Sequence, residues 1–162
     1  MKLLIMGPPG AGKGTQAKIL AQKFNLVHLS TGDILRKEID RNSEVGLRAQ
    51  TYMNAGNLVP DEVLLEMMNS TLTELKDNGV ILDGFPRTIP QADGLSKIFQ
   101  SLNQDIDAII NIEVDKDVLI RRLVERAKNS GRADDTEEVI KNRQNVYFCL
   151  LYTSDAADDA NC

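Results

Sequence analysis

The sequence has few of the residues that build metal centres. It contains one histidine, His28, two cysteines, Cys149 and Cys162, and no tryptophan. The usual four-ligand zinc site needs more Cys and His ligands than these, so we expect no zinc. His28 lies in the apolar run "LVHL" and is predicted to be an ordinary residue at the end of a strand.

The chain also lacks an excess of positive charge and any long apolar run. Its formal net charge is −5, which argues against a broad nucleic-acid-binding surface. The longest apolar runs have the length of strands, and no secretory leader is recognisable. We therefore expect a cytoplasmic protein without nucleic-acid or membrane partners. The 162 residues suffice for one ordinary domain with a buried core.

The pattern of apolar residues predicts an α/β fold. Four apolar runs with little polar alternation are predicted to be buried parallel strands, at 2–6, 26–29, 80–83 and 108–114. Helical patterns occupy 13–24, about 32–77, 91–102, 116–128 and 134–147. Such alternation predicts three layers, a parallel sheet between two layers of helices. The connection between the second and third strands is too long for a simple crossover and predicts a small inserted subdomain.

A glycine-rich loop follows the first predicted strand. The stretch "GPPGAGKGT", Gly7 to Thr15, leads from that strand into a helix. Glycines allow the backbone N–H groups to turn inward, and the helix adds its positive end. Lys13 supplies a full charge for the phosphates of a nucleoside triphosphate. The general phosphate-loop pattern has Ser or Thr after the lysine, whereas this chain has Gly14.

Asp83 and a set of arginines indicate which ligands bind beside the glycine-rich loop. Asp83 ends the strand "VILD", where a carboxylate suits hydrated Mg²⁺, although an acidic strand-end cap is the alternative. Planar guanidinium groups bind phosphate oxygens in pairs, so arginines at element ends predict a clamp around phosphates. The candidates are Arg36, Arg87, Arg122, Arg126, Arg132 and Arg143. No nucleophile triad or Cys/His pair is recognisable, which favours direct phosphoryl transfer over a covalent intermediate.

Four motifs together resemble those of the adenylate kinase family of nucleoside monophosphate kinases. They are "GPPGAGKGT", "STGDILR", "DGFPRT" with Gln91, and "SGRADD", in the family's order and spacing from Met1 to about Tyr147. Phosphate loops of that family carry Gly-Thr after the lysine, as do Gly14 and Thr15 here. The resemblance implies the reaction MgATP + AMP ⇌ 2 ADP in a monomeric phosphate-loop fold. It also implies an AMP-binding insert at about 30–59 and a short lid at about 123–135.

The resemblance also implies roles for individual residues. Those on ATP are Gly10, Ala11, Gly12, Lys13, Gly14, Thr15, Arg122 and Arg126. Those on AMP are Thr31, Arg36, Asn57, Leu58, Val59, Gly84, Arg87, Gln91, Arg132 and Arg143. The catalytic set is Lys13, Arg87, Arg122, Arg126, Arg132 and Arg143. Asp83 would hold Mg²⁺ through water, and Asp134 with Asp135 would form an acidic pair in the lid.

Alternative functions stay open at this stage. Thr31 and the stretch "TIPQ", Thr88 to Gln91, resemble AMP-using members, but a UMP/CMP-type kinase is an alternative. A nucleotide-binding module without turnover is a second alternative. A phosphate-loop switch or motor ATPase is disfavoured, because "STGD" and "DGFPR" predict a site for a second nucleotide.

The last fifteen residues do not share the resemblance. After Tyr147 the family continues with a final parallel strand and a closing helix, which are expected to be missing here. Residues 148–162 are therefore predicted to be a non-family tail, divergent and partly helical. Alternatively, Cys149 to Asp159 resemble a translated sequencing-library adapter and do not belong to the natural gene. Either explanation predicts an exposed sheet edge and a chain whose activity is weak or absent.

Overall fold

The computed structural model describes residues 1–130 and 136–153, in which strands and helices alternate. The α/β class predicted from the sequence is confirmed. In chain order the elements are β1 (Lys2–Met6), α1 (Lys13–Phe24), β2 (Val27–Ser30), α2 (Thr31–Asp40), α3 (Glu44–Ala55), α4 (Asp61–Glu74), β3 (Val80–Asp83), α5 (Ile89–Ser101), β4 (Ala108–Asn111), α6 (Lys116–Ser130) and α7 (Glu137–Thr153).

The four strands form one parallel sheet in the order β2-β3-β1-β4. β1 pairs with β3 on one side, where Ile5 lies opposite Asp83, and with β4 on the other, where Met6 lies opposite Asn111. The chain leaves β1 toward one side of the sheet and later crosses from β3 to the other side. Ligands bind at such a switch point, beyond the carboxyl ends of the strands. The glycine-rich loop and Asp83 both lie there.

Helices cover both faces of the sheet because successive side chains of a strand point to opposite faces. On one face Leu4 and Leu82 pack in a large cluster with residues of α4 and α5. On the other face Leu3 and Ile81 pack with Ala17 of α1. Two helical layers around the sheet give the three layers expected from the sequence.

The long connection between β2 and β3 forms three helices. Ser30 Oγ accepts from the Asp33 N–H (3.3 Å) at the start of α2, and Ser43 Oγ accepts from the Gly46 N–H (3.0 Å) at the start of α3. A Cβ at Gly46 would overlap the Glu38 carbonyl oxygen, so α2 and α3 cross at very close range. These two helices occupy most of the predicted insert.

The bounds of β4 and α7 differ most from the prediction. β4 ends at Asn111, not at residue 114, because β1 turns into the glycine-rich loop after Met6 and offers no further ladder partner. α7 begins at Glu137 and continues to Thr153, although the sequence pattern predicted a helix over 134–147. Residues 148–153 contain neither glycine nor proline, so no helix-breaking residue follows Tyr147.

Candidate active site

The loop between β1 and α1 has the backbone expected of a phosphate cradle. Gly12, the residue before α1, has φ 96°, a left-handed conformation that a residue with a side chain rarely adopts. The Ala11 N–H donates to the Pro8 carbonyl (3.1 Å), which tightens the turn. The first N–H groups of any α-helix lack intrahelical partners and lie at the positive end of its dipole. The loop and the start of α1 therefore form a site suited to an anion.

Lys13 is the first residue of α1 and folds back over this loop. Its Nζ donates to the carbonyl oxygens of Gly7 (2.7 Å) and Pro8 (3.0 Å). The pKa of Lys13 is lowered to about 8, mainly by burial and next by the positive charge of Arg87, whose effect exceeds the opposite effect of Asp83. The ammonium group is therefore in a region that is short of negative charge.

Asp83 lies across the switch point from this lysine. It is 8% exposed, and its Oδ2 is 3.3 Å from His28 Nε2. A Cβ added at Gly14 would lie 3.5 Å from the same oxygen, so the residue after Lys13 borders the carboxylate directly. His28 occupies a strand as predicted, but sequence reasoning missed its contact with Asp83, which depends on the pairing of β2 with β3.

The donor set is consistent with hydrated Mg²⁺. One buried carboxylate beside a phosphate loop suits an ion that keeps several of its own waters and takes other ligands from phosphates. Within residues 1–130 and 136–153, no group of three or more His, Cys, Asp or Glu side chains could enclose a metal ion. The described residues thus offer a single-carboxylate site and not a closed protein cage.

Cationic side chains from separate elements lower one another's pKa values at this site. Arg87, Arg143 and Arg126 each lower the pKa of Lys13. Although part of Arg87 is exposed, protein atoms crowd its guanidinium, and this desolvation together with Arg143 lowers the pKa of Arg87 to about 10. Arg36 lowers it as well. Because such effects weaken with distance, Arg126 and Arg143 lie near Lys13, and Arg36 and Arg143 lie near Arg87, with Asp83 offsetting part of the positive charge.

Thr31, Gly84 and Arg87 meet at one hydrogen-bonded corner. The Gly84 carbonyl accepts from Thr31 Oγ1 (3.0 Å) and from Arg87 Nε (2.9 Å). Gly84 has φ 81°, and a Cβ there would lie 2.9 Å from Arg87 Nη2 and 3.0 Å from Thr31 Oγ1. Only glycine fits this corner without displacing both neighbours.

Gln91 is deeply buried beneath the same corner. Its Oε1 accepts from the Arg87 N–H (2.7 Å), and its Nε2 donates to Asp61 Oδ1 (2.7 Å). Asp61 Oδ1 also accepts from Thr88 Oγ1 (3.0 Å). Asp61 was not predicted as a site residue, because an acidic residue in the first turn of a helix is common for electrostatic reasons alone.

Helix α7 connects the glycine-rich loop with the predicted residues at 57–59. Gln144 Nε2 donates to the Pro9 carbonyl (2.9 Å), and Asn142 Nδ2 donates to Asn57 Oδ1 (2.9 Å). Arg143 lies between these two residues in the sequence. Of the neighbouring pair, Leu58 is half-buried and Val59 is buried.

Other predicted residues lie farther from the Thr31–Gly84–Arg87 corner or outside the described residues. Arg126 is half-buried on α6, whereas Arg122 is exposed, and the contacts described do not bring it into the cationic cluster. α6 itself packs on the loop, since a Cβ at Gly10 would lie 2.9 Å from Leu123 Cγ. Arg132, Asp134 and Asp135 lie outside the described residues.

Comparison with known proteins agrees with the motifs. A sequence model described as "Adenylate kinase" matches residues 5–151, nearly the whole chain. The chain belongs to the adenylate kinase family. An adenylate kinase of Leptospira biflexa is 48% identical over 147 residues, which are 90% of this chain and 79% of the relative. Adenylate kinases of Bacteroides thetaiotaomicron (91% and 78% covered) and Stenotrophomonas maltophilia (91% and 79%) are each 46% identical over 148 residues.

The family match extends slightly beyond the point where the motif resemblance was expected to end. It runs to residue 151, within α7, while the predicted boundary of the family domain is at Tyr147.

Among the residues that the structure describes, no helix has the length and apolar character needed to cross a bilayer.

Proposed function

We propose that this chain transfers a phosphoryl group reversibly from MgATP to AMP and yields two ADP. Membership of the adenylate kinase family supports this reaction. The observation that carries the proposal is geometric, because the phosphate loop and the loop after β3 leave neighbouring parallel strands, and a Cβ at Gly14 would lie 3.5 Å from Asp83 Oδ2. Two phosphate-binding motifs that share one cationic cleft suit a donor and an acceptor nucleotide held together.

In this proposal the protein acts through position and charge. The glycine-rich loop, Gly10 to Thr15, holds the ATP phosphates, and Lys13 exchanges its loop carbonyls for phosphate oxygens. Thr31, Gly84, Arg36 and Arg87 hold the AMP phosphate. Cations in a site with little water stabilise charge on the transferred group, and donor and acceptor oxygens must lie in line.

Arginines of the last two helices complete the clamp around the phosphates. Arg126 and Arg143 contribute positive charge to the cleft, as their effects on the pKa of Lys13 indicate. We also assign Arg122 and Arg132 to this clamp, on the basis of the family resemblance. Closure of the proposed lid, at about 123–135, and of the insert, at about 30–59, would exclude water and limit ATP hydrolysis.

Mg²⁺ is the proposed metal, held by Asp83 through water. When bound to ATP, the ion neutralises phosphate charge and helps orient the phosphates. Asp83 suits this role because it is buried, adjoins Gly14 and is contacted by His28. No role for zinc is proposed.

AMP is the proposed acceptor, with Asn57, Leu58 and Val59 beside the base and Gln91 at its edge. We further propose a cytoplasmic monomer that binds ATP, AMP and ADP and neither nucleic acid nor membrane. A UMP/CMP-type kinase is the alternative acceptor assignment. Values of kcat/KM for AMP, UMP and CMP would decide between them, and we expect AMP to exceed both pyrimidine nucleotides; a higher value for either would contradict the assignment.

A nucleotide-binding protein without turnover is the second candidate function. The observation that favours it is the exposed face of β4, whose Ile109 is 60% exposed. A coupled assay of ADP formation, with AMP binding measured by calorimetry, separates the two. We expect ADP only when ATP, AMP and Mg²⁺ are all present. AMP binding without ADP formation would favour the second candidate.

A further inference from the structure

We propose that Asp61 is a positioning residue for the AMP site and acts through the buried side chain of Gln91. The inference rests on the proposed function, because it assigns a role within the acceptor site. Asp61 is the first residue of α4 and follows the predicted base-contacting residues 57–59 by two positions. Its Oδ1 accepts two hydrogen bonds, from Gln91 Nε2 (2.7 Å) and from Thr88 Oγ1 (3.0 Å).

The carboxylate fixes the orientation of the Gln91 amide. An ionised carboxylate only accepts hydrogen bonds, so the amide nitrogen must face Asp61. The amide oxygen then faces the other way and accepts from the Arg87 N–H (2.7 Å). An amide rotated by half a turn would place its oxygen against a carboxylate and its nitrogen against an N–H group. Asp61 and Arg87 together therefore permit one orientation.

Burial makes this orientation important. Gln91 is 0% exposed, so water does not replace a lost partner of its amide. A buried donor without an acceptor costs more than the hydrogen bond itself contributed. Removing the Asp61 carboxylate is therefore expected to move the amide, the loop after β3 or both.

A chain of hydrogen bonds carries this effect to the phosphate-binding residues. Gln91 holds the backbone of Arg87, and Arg87 Nε donates to the Gly84 carbonyl (2.9 Å). Thr31 Oγ1 donates to that same carbonyl (3.0 Å). The first residue of α4 is thus connected to the first residue of α2 through the corner that is proposed to hold the AMP phosphate. A small displacement of groups that position a substrate lowers the fraction of bound substrate that is held in the reactive geometry.

Glu62 provides a matched control. It is the next acidic residue in the first turn of α4 and is exposed. If Asp61 merely complemented the helix dipole, removing Glu62 would have a similar effect. The Gln91 contact is specific to Asp61.

Three single variants test the assignment, with affinities for AMP and for ATP measured separately by calorimetry. Asp61→Ala is expected to weaken AMP binding about tenfold or more, with the KM for AMP raised in parallel. Its affinity for ATP should remain within about twofold, because the phosphate loop lies outside this network. Asp61→Asn should retain most AMP affinity, since its Oδ1 accepts the same two hydrogen bonds. Glu62→Ala should change neither affinity.

A double-mutant cycle asks whether Asp61 acts through Gln91. In a Gln91→Ala background, Asp61→Ala should weaken AMP binding much less than it does in the wild-type chain. If Asp61→Ala does not fold, the cycle uses Gln91→Glu, which places two carboxylates face to face. Adding Asp61→Asn to that variant should then recover AMP affinity, because an asparagine Nδ2 donates to the carboxylate introduced at position 91.

Several results would overturn the inference. These are full additivity in the cycle, equal weakening of ATP and AMP binding by Asp61→Ala, or no rescue by Asp61→Asn. Unchanged AMP binding in Asp61→Ala would overturn this inference while leaving the proposed function intact. A wild-type chain that binds no AMP would overturn the proposed function itself, and the positioning role with it.

Discussion

β3 and β4 are strands of equal length that both pair in parallel with β1, yet their surroundings differ. All four residues of β3 are buried, and Ile81 is 0% exposed. Three of the four residues of β4 are exposed, and Ile109 is 60% exposed. In the sheet formed by the described residues, β3 lies between β1 and β2, whereas β4 lies at one of the two edges. Position in the sheet, and not apolar sequence, therefore determines how much each strand contributes to the core.

The same asymmetry separates the site from the outer part of the sheet. Asp83 and the corner of Thr31, Gly84 and Arg87 lie on the side of β3, where strands and helices pack closely. On the side of β4, Ile120 and Val124 of α6 are exposed as well as Ile109. An apolar strand edge invites association with other chains. The proposed acceptor site thus belongs to the well-packed half, and weakness in stability is expected in the other half, which includes α6 with Arg122 and Arg126.

Replacing Lys13 should produce the largest effect on function. Lys13→Met removes a charge from the phosphate site, and kcat/KM should fall by about 1,000-fold, comparable to the loss of a transition-state donor. Lys18→Met, an exposed position on the same helix, is the control and should remain near wild type. Steady-state kinetics would measure both. A loss of less than about tenfold for Lys13→Met would contradict its catalytic assignment.

A matched pair of isoleucines tests the difference between the two strands. Ile81→Ala should lower the free energy of unfolding by about 2–5 kcal/mol because it leaves a cavity in the core. Ile109→Ala should change it by less than about 0.5 kcal/mol, as exposed positions do. Chemical denaturation would give both values. Similar losses at the two positions would mean that β4 is covered in solution.

The lowered pKa of Lys13 predicts a pH dependence of moderate size. The pKa is about 8 in the folded chain, against an ordinary value of 10.5, so the unfolded chain holds the extra proton between these values. The Lys13 contribution to stability therefore rises with pH across this window. Binding of anionic ATP has the opposite preference, because it favours the protonated lysine.

Calorimetry in buffers of different ionisation enthalpy tests this directly. ATP binding above pH 8 should take up protons, and ATP affinity should fall as the pH rises. Lys13→Met should bind ATP more weakly and lose most of the proton uptake. Uptake that persists unchanged in this variant would assign the linkage to another group.

The smallest effect is expected at the sheet edge. Ile109→Lys should leave turnover within about twofold, while reducing concentration-dependent association, because a lysine on an edge strand opposes strand pairing. Light scattering and kinetics on the same samples would measure both properties. Lower turnover without any change in association would place β4 closer to the chemistry than proposed.

The sequence was most informative where local pattern and local chemistry coincide. The strands at 2–6 and 80–83, helix α1 and the glycine-rich loop agree with prediction because each depends on residues adjacent in the chain. The contacts of Asp83 with His28, and of Asp61 with Gln91, join residues that are far apart in sequence. No single-sequence pattern encodes such pairings, which arise only once β2 and β3 are in register and α4 packs against α5. The sequence predicts a helix that ends at residue 147 and a partly helical tail, whereas α7 continues without a break to Thr153.

Transfer of the terminal phosphate of ATP tests the proposed function most directly. The chain would be incubated with Mg²⁺, AMP and ATP labelled at the γ-phosphate, and the labelled products would be separated over time. The proposal predicts that the label appears in ADP, in an amount equal to the ATP consumed, with little inorganic phosphate. Release of the label as inorganic phosphate, or its retention in ATP while AMP is bound, would contradict it.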